Sequence, residues 1–361
     1  QFSRNILTHD AGSDALTYEP VVNPHDKGAG PFLIEHLNAL DLPGEWWYDK
    51  TTGLVWFWPE NGQDPNTLAV RGKAINYGLT MTGCSDITLK NIDFFACTVE
   101  AVNQSRFTFD DCLFDYPTWF ARMLGEHTYT VVGGESRMQP LGEGTTRLTG
   151  GSNHTVKNCI FRYSDAMVDM DDGFQNVVEN NLFHHWSFSG MASFVLNMNS
   201  NHEGLQRRNT FHTNGSKVMS KHSNCDVDWS RAYWFGYFQN DGTAWQCKGG
   251  NGAGGGSDGV RRHHIWHHDA KKVGGRWDGS DGINGTDDHI VSWNVVASLL
   301  CKGDYHRVMN NVGIFSHDPT DNMLKIDMGS DTNNVKNGNT QTYNNLADSI
   351  SAARSGYIPL N

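Results

Sequence analysis

The stretch Val156-Lys157-Asn158-Cys159-Ile160-Phe161 decides how this chain folds, because its pattern returns at Val178-Glu179-Asn180-Asn181-Leu182-Phe183. An apolar residue and a charged residue precede an asparagine, and a large apolar residue stands three positions after it. Similar copies continue in both directions along the chain. They cover residues 89–94, 109–114, 207–211, 262–266, 292–296, 309–312 and 343–346.

Nine copies in order predict an all-β chain, a right-handed parallel β-helix with rungs of about twenty to thirty residues. One strand per copy points alternate side chains into the coil. The asparagine occupies the turn, because it tolerates left-handed backbone angles and its amide can bond to the asparagine of the next rung. No single rung can bury its own apolar face, so the rungs must stack.

The N-terminal part of the chain has a different pattern, and we assign residues 1–78 to a small β-module that leads into the coil at 79–361. Aromatic runs at residues 46–48 and 54–58 flank a turn that ends at Gly53, which predicts a β-hairpin. Pro59 ends its second strand. Two long intervals between copies predict loop insertions near 116–150 and 222–260, and such insertions often form the binding face.

Composition and termini narrow the classes of function. The chain has 361 residues and a formal net charge of −12, so it lacks the basic footprint of nucleic-acid-binding proteins. It has no apolar run long enough to predict a membrane span. A start at Gln1 is typical of a processed chain, and we expect a secreted, extracellular protein. Sequons make four asparagines candidates for glycosylation: Asn103, Asn153, Asn214 and Asn284.

The seven cysteines contain no CxxC pair, which argues against a zinc ribbon. Two interpretations remain open. In a secreted protein one or more disulfides are expected, with one thiol left over. Alternatively, several cysteines are small core residues stacked inside the coil.

A second strand in each repeat carries charged residues. If Met170 and Trp277 point into the coil, alternation turns their neighbours outward. The charged residues predicted on this outer face are Asp169, Asp171, Arg276, Asp278, Lys302 and Asp304, with Lys221 at a similar position and Asp241 in or beside the second insertion.

Paired carboxyl groups indicate glycoside hydrolysis, which needs one acid and one base or nucleophile at about 5–9.5 Å separation. We take Asp241 and Asp278 as the leading catalytic pair, with Asp169, Asp171 and Asp172 in reserve. Arg276 is predicted to orient the substrate. For a polysaccharide lyase, Lys221 or Lys302 with Arg276 would instead abstract a proton and neutralise a uronate.

Histidines and tryptophans supply further candidates. His185 and His267 are predicted to contact substrate or transfer a proton, and Trp234 and Trp245 to stack on sugar rings. The histidine pairs lack the HExxH spacing, and strand neighbours face opposite ways, so no metal and no other cofactor are predicted.

Several segments resemble right-handed parallel β-helix proteins of the carbohydrate-active kind. These segments are residues 40–49, 235–242, 264–269, 275–279 and 302–306. The resemblance implies the coil and a polysaccharide or oligosaccharide partner, because such proteins are commonly secreted hydrolases or lyases. A third alternative is a non-catalytic structural or adhesive coil that self-assembles in a filament or sheath.

Overall fold

The computed structural model of the protein describes most of the chain. The described residues are 6–9, 12, 15–18, 36–118, 129–132, 135–138, 145–170, 173–188, 194–198, 203–215, 218–222, 224–237, 243–247, 260–278, 285–303, 305–316, 323–326 and 339–351.

Three long parallel sheets wrap around a common core, and each rung of the chain gives one strand to each sheet in turn. Sheet I consists of Tyr77–Thr82, Thr98–Val102, Thr146–Thr149, Val168–Asp169, Phe194–Met198, Val218–His222, Thr243–Cys247, Val273–Asp278, Ala297–Lys302, Leu324–Ile326 and Ile350–Ser351. Sheet II consists of Thr88–Lys90, Thr108–Asp110, Thr155–Lys157, Val177–Glu179, Gly204–Arg207, Cys225–Asp228, Arg261–His263, Thr286–Asp288, Arg307–Met309 and Gln341–Tyr343. Sheet III consists of Asp93–Phe95, Leu113–Asp115, Ile160–Ser164, Leu182–Trp186, Thr210–Asn214, Arg231–Tyr233, Trp266–His268, Val291–Val295, Val312–Ser316 and Leu346–Ala347. The predicted all-β parallel β-helix is confirmed, and the crossover rule for parallel strands gives it a right-handed coil.

The remaining elements are short and lie outside the three sheets. Antiparallel pairs form between Trp46–Asp49 and Leu54–Phe57, between Ile6–His9 and Leu16–Tyr18, and between Tyr129–Val132 and Glu135–Met138. The first pair is the predicted hairpin. In the described part of the chain, 3-10 helices span Leu37–Ala39, Glu60–Gly62 and Pro65–Thr67. Across the described residues, none of the helices has the length and apolar character needed to cross a bilayer.

A column of phenylalanines fills the coil behind sheet III. Phe94, Phe114, Phe161, Phe183 and Phe211 occupy the same register position on successive strands. Their ring centroids lie 4.4–5.1 Å apart and their planes tilt by no more than 13°. This spacing is that of hydrogen-bonded strands, about 4.7–4.9 Å, so each rung stacks its aromatic ring on the ring of the rung before.

Most of the cysteines belong to the core. All seven are free thiols, and five of them are buried: Cys112, Cys159, Cys225, Cys247 and Cys301. The interpretation as stacked core residues is therefore confirmed for these five, and the alternative of disulfides gains no support.

The corner between sheets II and III is the same on every rung. Two residues link the strands, and the first is left-handed, as at Asn91, Asn158, Asn180 and Asn310 with φ of 54–59°. The predicted amide ladder also forms, because Asn180 Nδ2 donates to Asn158 Oδ1 at 2.8 Å.

Two rungs depart from the predicted repeat. The copy at 292–296 is out of register, since Asn294 lies inside the sheet III strand Val291–Val295 and the rung turns between sheets II and III at His289. The rung that turns at Trp229 escaped detection, because Trp229 and Ser230 stand where other rungs carry asparagine. Residues 222–260 consequently contain the strands Cys225–Asp228, Arg231–Tyr233 and Thr243–Cys247, and are not one insertion as predicted.

The second corner residue points inward, and on several rungs it is an asparagine that serves the backbone. Asn209 is 1% exposed; its Nδ2 donates to the Val178 carbonyl at 2.8 Å and its Oδ1 accepts from Asn181 N at 3.0 Å. An inward asparagine therefore satisfies peptide groups that the turn takes out of the sheet ladder.

Replacing Asn209 with alanine is expected to lower the free energy of unfolding by about 1–3 kcal/mol, because it leaves buried peptide groups unpaired. Chemical denaturation of the full chain measures this change. Asn180→Gly is the matched control, since it keeps a left-handed corner and removes an exposed amide. Equal losses in the two variants would contradict the role given to the inward position.

Candidate functional site

The lengths of the connections single out sheet I. Every link from sheet II to sheet III has two residues, such as 91–92 and 208–209. Links from sheet III to sheet I range from one residue, 296, to the 30 residues 116–145. Links from sheet I to sheet II range from the two residues 223–224 to the 14 residues 327–340. Sheet I is therefore bordered on both edges by the variable segments, as the binding face of a solenoid usually is.

A column of residues, polar except for Leu300, runs along the outer face of sheet I, parallel to the axis of the coil. Strand pairing aligns its members in the order Glu100, Arg147, Asp169, Asn197, Lys221, Gln246, Arg276, Leu300 and Lys325. Met170, Met198 and Trp277 follow members of this column and are fully buried. The predicted alternation is confirmed for these strands.

The first half of the column is linked by polar contacts. Arg147 Nη1 lies 3.2 Å from Glu100 Oε1, and Asn197 Nδ2 donates to Asp169 Oδ1 at 2.9 Å. Burial works against the charged form of the guanidinium, but Tyr77, Glu100 and Asp169 stabilise it, so the pKa of Arg147 is raised. The column thus offers a fixed cation between two carboxylates. Arg147, Asn197 and Gln246 were not identified from the sequence, because the repeat there is too short to fix the register.

Asp169 and Asp278 belong to separate parts of this face. Asp169 aligns with Arg276 four strands later, a distance of about 19 Å at the usual strand spacing. This exceeds the separation of carboxyl groups in glycosidases, about 5–9.5 Å, so the two aspartates cannot act as one pair. The backbone of Asp278 pairs with that of Lys302, which is half-buried.

Several predicted residues lie outside the described part of the chain. Five residues are not described at all: Asp171, Asp172, Asp241, Asn284 and Asp304. For Lys221 and Asp278 the backbone is described but the side chain is not. The pairing of Asp241 with Asp278, and of Asp169 with its neighbours, stays a prediction.

Two predicted substrate contacts are wrong, because their side chains lie inside the coil. His267 is fully buried on the inner column of sheet III, where burial lowers its pKa to about 3. Trp245 is 1% exposed, and its ring centroid lies 5.7 Å from that of His267. Alternation explains the error for His267: of the pair 267–268, the sequence could not say which ring faces outward, and it is His268.

An aromatic ladder covers the outer face of sheet III. Its members are His184, His212, Tyr233, His268 and Trp293, with neighbouring centroids 4.2–5.2 Å apart and planes within 13° of parallel. A sugar ring binds an aromatic side chain by stacking on the face of its ring, and in this ladder neighbouring rings already cover one another's faces. This ladder is therefore structural along most of its length.

The edge between sheets III and I carries exposed rings instead. Left-handed residues turn the chain there, and they include Tyr116, Tyr163, His185, Trp234 and Phe315. Trp234 is 49% exposed, as expected of a sugar contact, and His185 is partly buried, which lowers its pKa. These residues form what we call the aromatic rim of sheet I.

A sequence signal for the rim exists but was not used. Each rim residue stands five positions after the left-handed residue of the preceding corner, as Tyr163 does after Asn158 and Trp234 after Trp229. Only the true corner positions reveal this offset.

The glycosylation candidates separate by burial. Asn103 and Asn153 are exposed at left-handed turns. Asn214 is fully buried and its Oδ1 accepts from Gly236 N at 2.9 Å, so the folded coil leaves no room for a glycan and this candidate is wrong.

Comparison with known proteins adds no relative: no protein-family model matches the chain, and no curated protein is significantly similar to it.

Proposed function

We propose that the chain is an extracellular polysaccharide-degrading enzyme, a glycoside hydrolase that lays its substrate along the outer face of sheet I. The observation that supports this most is the polar column of that face, from Glu100 to Lys325, which variable connections border on both edges. The aromatic rim, with Trp234 and Phe315, follows one edge of the same sheet.

The repeat of the column suits a linear polymer. Neighbouring members stand one strand apart, about 4.8 Å, which is close to the length of one sugar residue in an extended chain. The amide of Gln246 and the guanidinium groups of Arg147 and Arg276 can donate to hydroxyl or carboxylate groups along a bound chain. The exposed rim rings supply flat apolar faces for the sugar rings.

Hydrolysis of the glycosidic bond needs a second carboxyl group near each aspartate. One carboxyl protonates the leaving oxygen while the other attacks the anomeric carbon or activates water. Asp278 with Asp241 is the leading pair, and Asp169 with Asp171 or Asp172 is the reserve. Asp169 and Asp278 are about 19 Å apart along the sheet, so the two pairs are alternative catalytic sites and cannot act together.

Single substitutions distinguish the two pairs. Asp278→Asn is expected to lower the rate of reducing-end release from a responsive glycan by at least about a hundredfold, because an acid, base or nucleophile is removed. Asp169→Asn is expected to have a small effect. A large loss in Asp169→Asn with a small loss in Asp278→Asn would instead assign catalysis to the reserve pair. Asp93→Asn, an outward residue of sheet III, is the control. No product from a broad glycan panel would contradict hydrolysis and favour the structural alternative.

A lyase is the second candidate, and one feature of the column favours it. From Asn197 to Lys325 the aligned positions contain no carboxylate, whereas Lys221, Arg276 and Lys325 are basic. This basic stretch on a chain of net charge −12 suits a uronate polymer. Products that carry the ultraviolet absorbance of unsaturated uronates would identify a lyase, and reducing ends without it a hydrolase.

A further inference from the structure

Three histidines meet at the corner between sheets II and III. His264 and His289 occupy the left-handed corner position on successive rungs, with φ of 48° and 54°, and His263 is the outward residue just before the first of them. One ligand nitrogen from each lies within 4.8 Å of those of the other two. Among the described residues this is the one such group of three or more metal-ligating side chains.

Two carboxylates flank these rings. Strand pairing places Asp228 one strand before His263 and Asp288 one strand after it. Asp228 Oδ1 lies 3.6 Å from His263 Nδ1 and 3.8 Å from His264 Nδ1. These separations are too long for hydrogen bonds, but they approach the roughly 3.4 Å between two ligands of one tetrahedral zinc ion with bonds of about 2.0–2.2 Å.

Two of the atoms are buried without any hydrogen-bond partner, namely Asp228 Oδ1 and His264 Nδ1. Buried polar atoms in this state call for an explanation, since nearly all such atoms in folded proteins are paired. A cation between them would satisfy both.

His289 has the arrangement of a histidine that binds metal. Its Nδ1 lies 2.7 Å from Asp288 Oδ1, a contact that holds the carboxylate beside the ring and leaves Nε2 to bind an ion. Histidine ligands in metal sites usually donate their second ring nitrogen to a carboxylate in this way.

We infer that this corner binds a divalent transition-metal ion of the zinc type, with His263, His264 and His289 as ligands and Asp228 as the carboxylate beside the first two. Imidazole and carboxylate donors suit zinc and its neighbours, and the absence of thiolates and of a carbonyl cage argues against copper(I) and calcium. Asp288 orients His289.

The site would be a structural metal site and not a catalytic one. Its residues come from three successive rungs, those that turn at Trp229, His264 and His289. Its corner does not border sheet I, so this inference does not depend on the proposed function. A bound ion would tie the rungs together and stabilise the fold.

Metal binding to the full chain tests the inference. After treatment with a chelator and its removal, the wild type is expected to bind one equivalent of Zn²⁺ in calorimetry, with a higher melting temperature. Cobalt(II) substitution is expected to give the intense visible bands of a tetrahedral ion.

His264→Asn and His289→Asn are expected to weaken zinc binding at least tenfold, and Asp288→Asn about ten- to a hundredfold. Asparagine keeps the corner intact, because it occupies the same left-handed position at Asn158, Asn180 and Asn310. His185→Asn, a left-handed histidine at the other edge of sheet III, is the control and should bind like wild type. No zinc binding by the wild type, or undiminished binding by both corner variants, would overturn the inference.

Discussion

An Asp287→Ala variant is expected to lose about 3–5 kcal/mol of unfolding free energy, because it leaves the charge of Arg262 unpaired inside the coil. Asp287 and Arg262 are both fully buried, on the inner column of sheet II. Arg262 Nε lies 2.6 Å from Asp287 Oδ1 and Nη2 lies 2.8 Å from Oδ2, a bidentate pair.

Among the described residues, Asp287 is the carboxylate with which Arg262 forms an ion pair. Its Nη1 donates to the Trp245 carbonyl at 3.1 Å, and the guanidinium stands 4.2 Å from the ring centroid of Trp277. Trp277 Nε1 donates to Asp287 Oδ2 at 2.7 Å. Gly275 makes the space, since a Cβ there would come within 2.9 Å of Arg262 Nη1.

Denaturant unfolding of the single variant and of the double variant Arg262→Met with Asp287→Leu measures the effect. The double variant is expected to recover most of the loss, because an apolar pair of similar volume avoids the desolvation cost of two charges. Asp86→Ala is the control, since it breaks an exposed pair with Arg106 and should cost far less. A loss at Asp287 no larger than that at Asp86 would contradict the buried network.

Acid is expected to destabilise the coil through two buried histidines, His222 and His267. Burial, with repulsion from Arg262, lowers the pKa of each to about 3, against about 6.5 in the unfolded chain. The unfolded state therefore binds more protons between these values. Stability is complete above pH about 6.5 and falls as the pH drops toward 3, by about 2 kcal/mol per histidine at pH 5.

Replacing His222 with methionine tests this effect, because Met198 fills the aligned position one strand earlier. Unfolding free energies at pH 7 and pH 5 are expected to differ by about 2 kcal/mol less in the variant than in the wild type. His36→Asn, at an exposed histidine outside the proposed metal site, is the control for general acid effects. The same pH dependence in His222→Met and wild type would show that His222 is not held neutral.

The sequence was sufficient for the coil because its signal repeats. Each asparagine corner with its following phenylalanine is weak alone, but the copies from Asn91 to Asn344 specify one strand spacing and one inward column. The prediction failed where the left-handed corner residue of a rung is not asparagine. Trp229 and His289 adopt the left-handed turn that asparagine adopts elsewhere, and composition does not reveal this.

The candidate site was harder to predict, since it depends on register between strands that lie in different rungs. His267 and His268 are neighbours, yet one points into the core and the other lies in the outer aromatic ladder between Tyr233 and Trp293. The corner histidines 263, 264 and 289 were assigned no metal, because strand alternation separates adjacent residues. The left-handed turn brings them together.

Calorimetry of the binding of a soluble oligosaccharide, taken from the responsive glycan, tests most directly whether the outer face of sheet I binds the substrate. Gln246→Ala removes an amide from the middle of the polar column, and Thr286→Ala alters the outward face of sheet II. We expect about tenfold weaker binding for Gln246→Ala, the loss of roughly one hydrogen bond, and no change for Thr286→Ala. Unchanged binding by Gln246→Ala together with weakened binding by Thr286→Ala would place the glycan on another face and contradict the proposal.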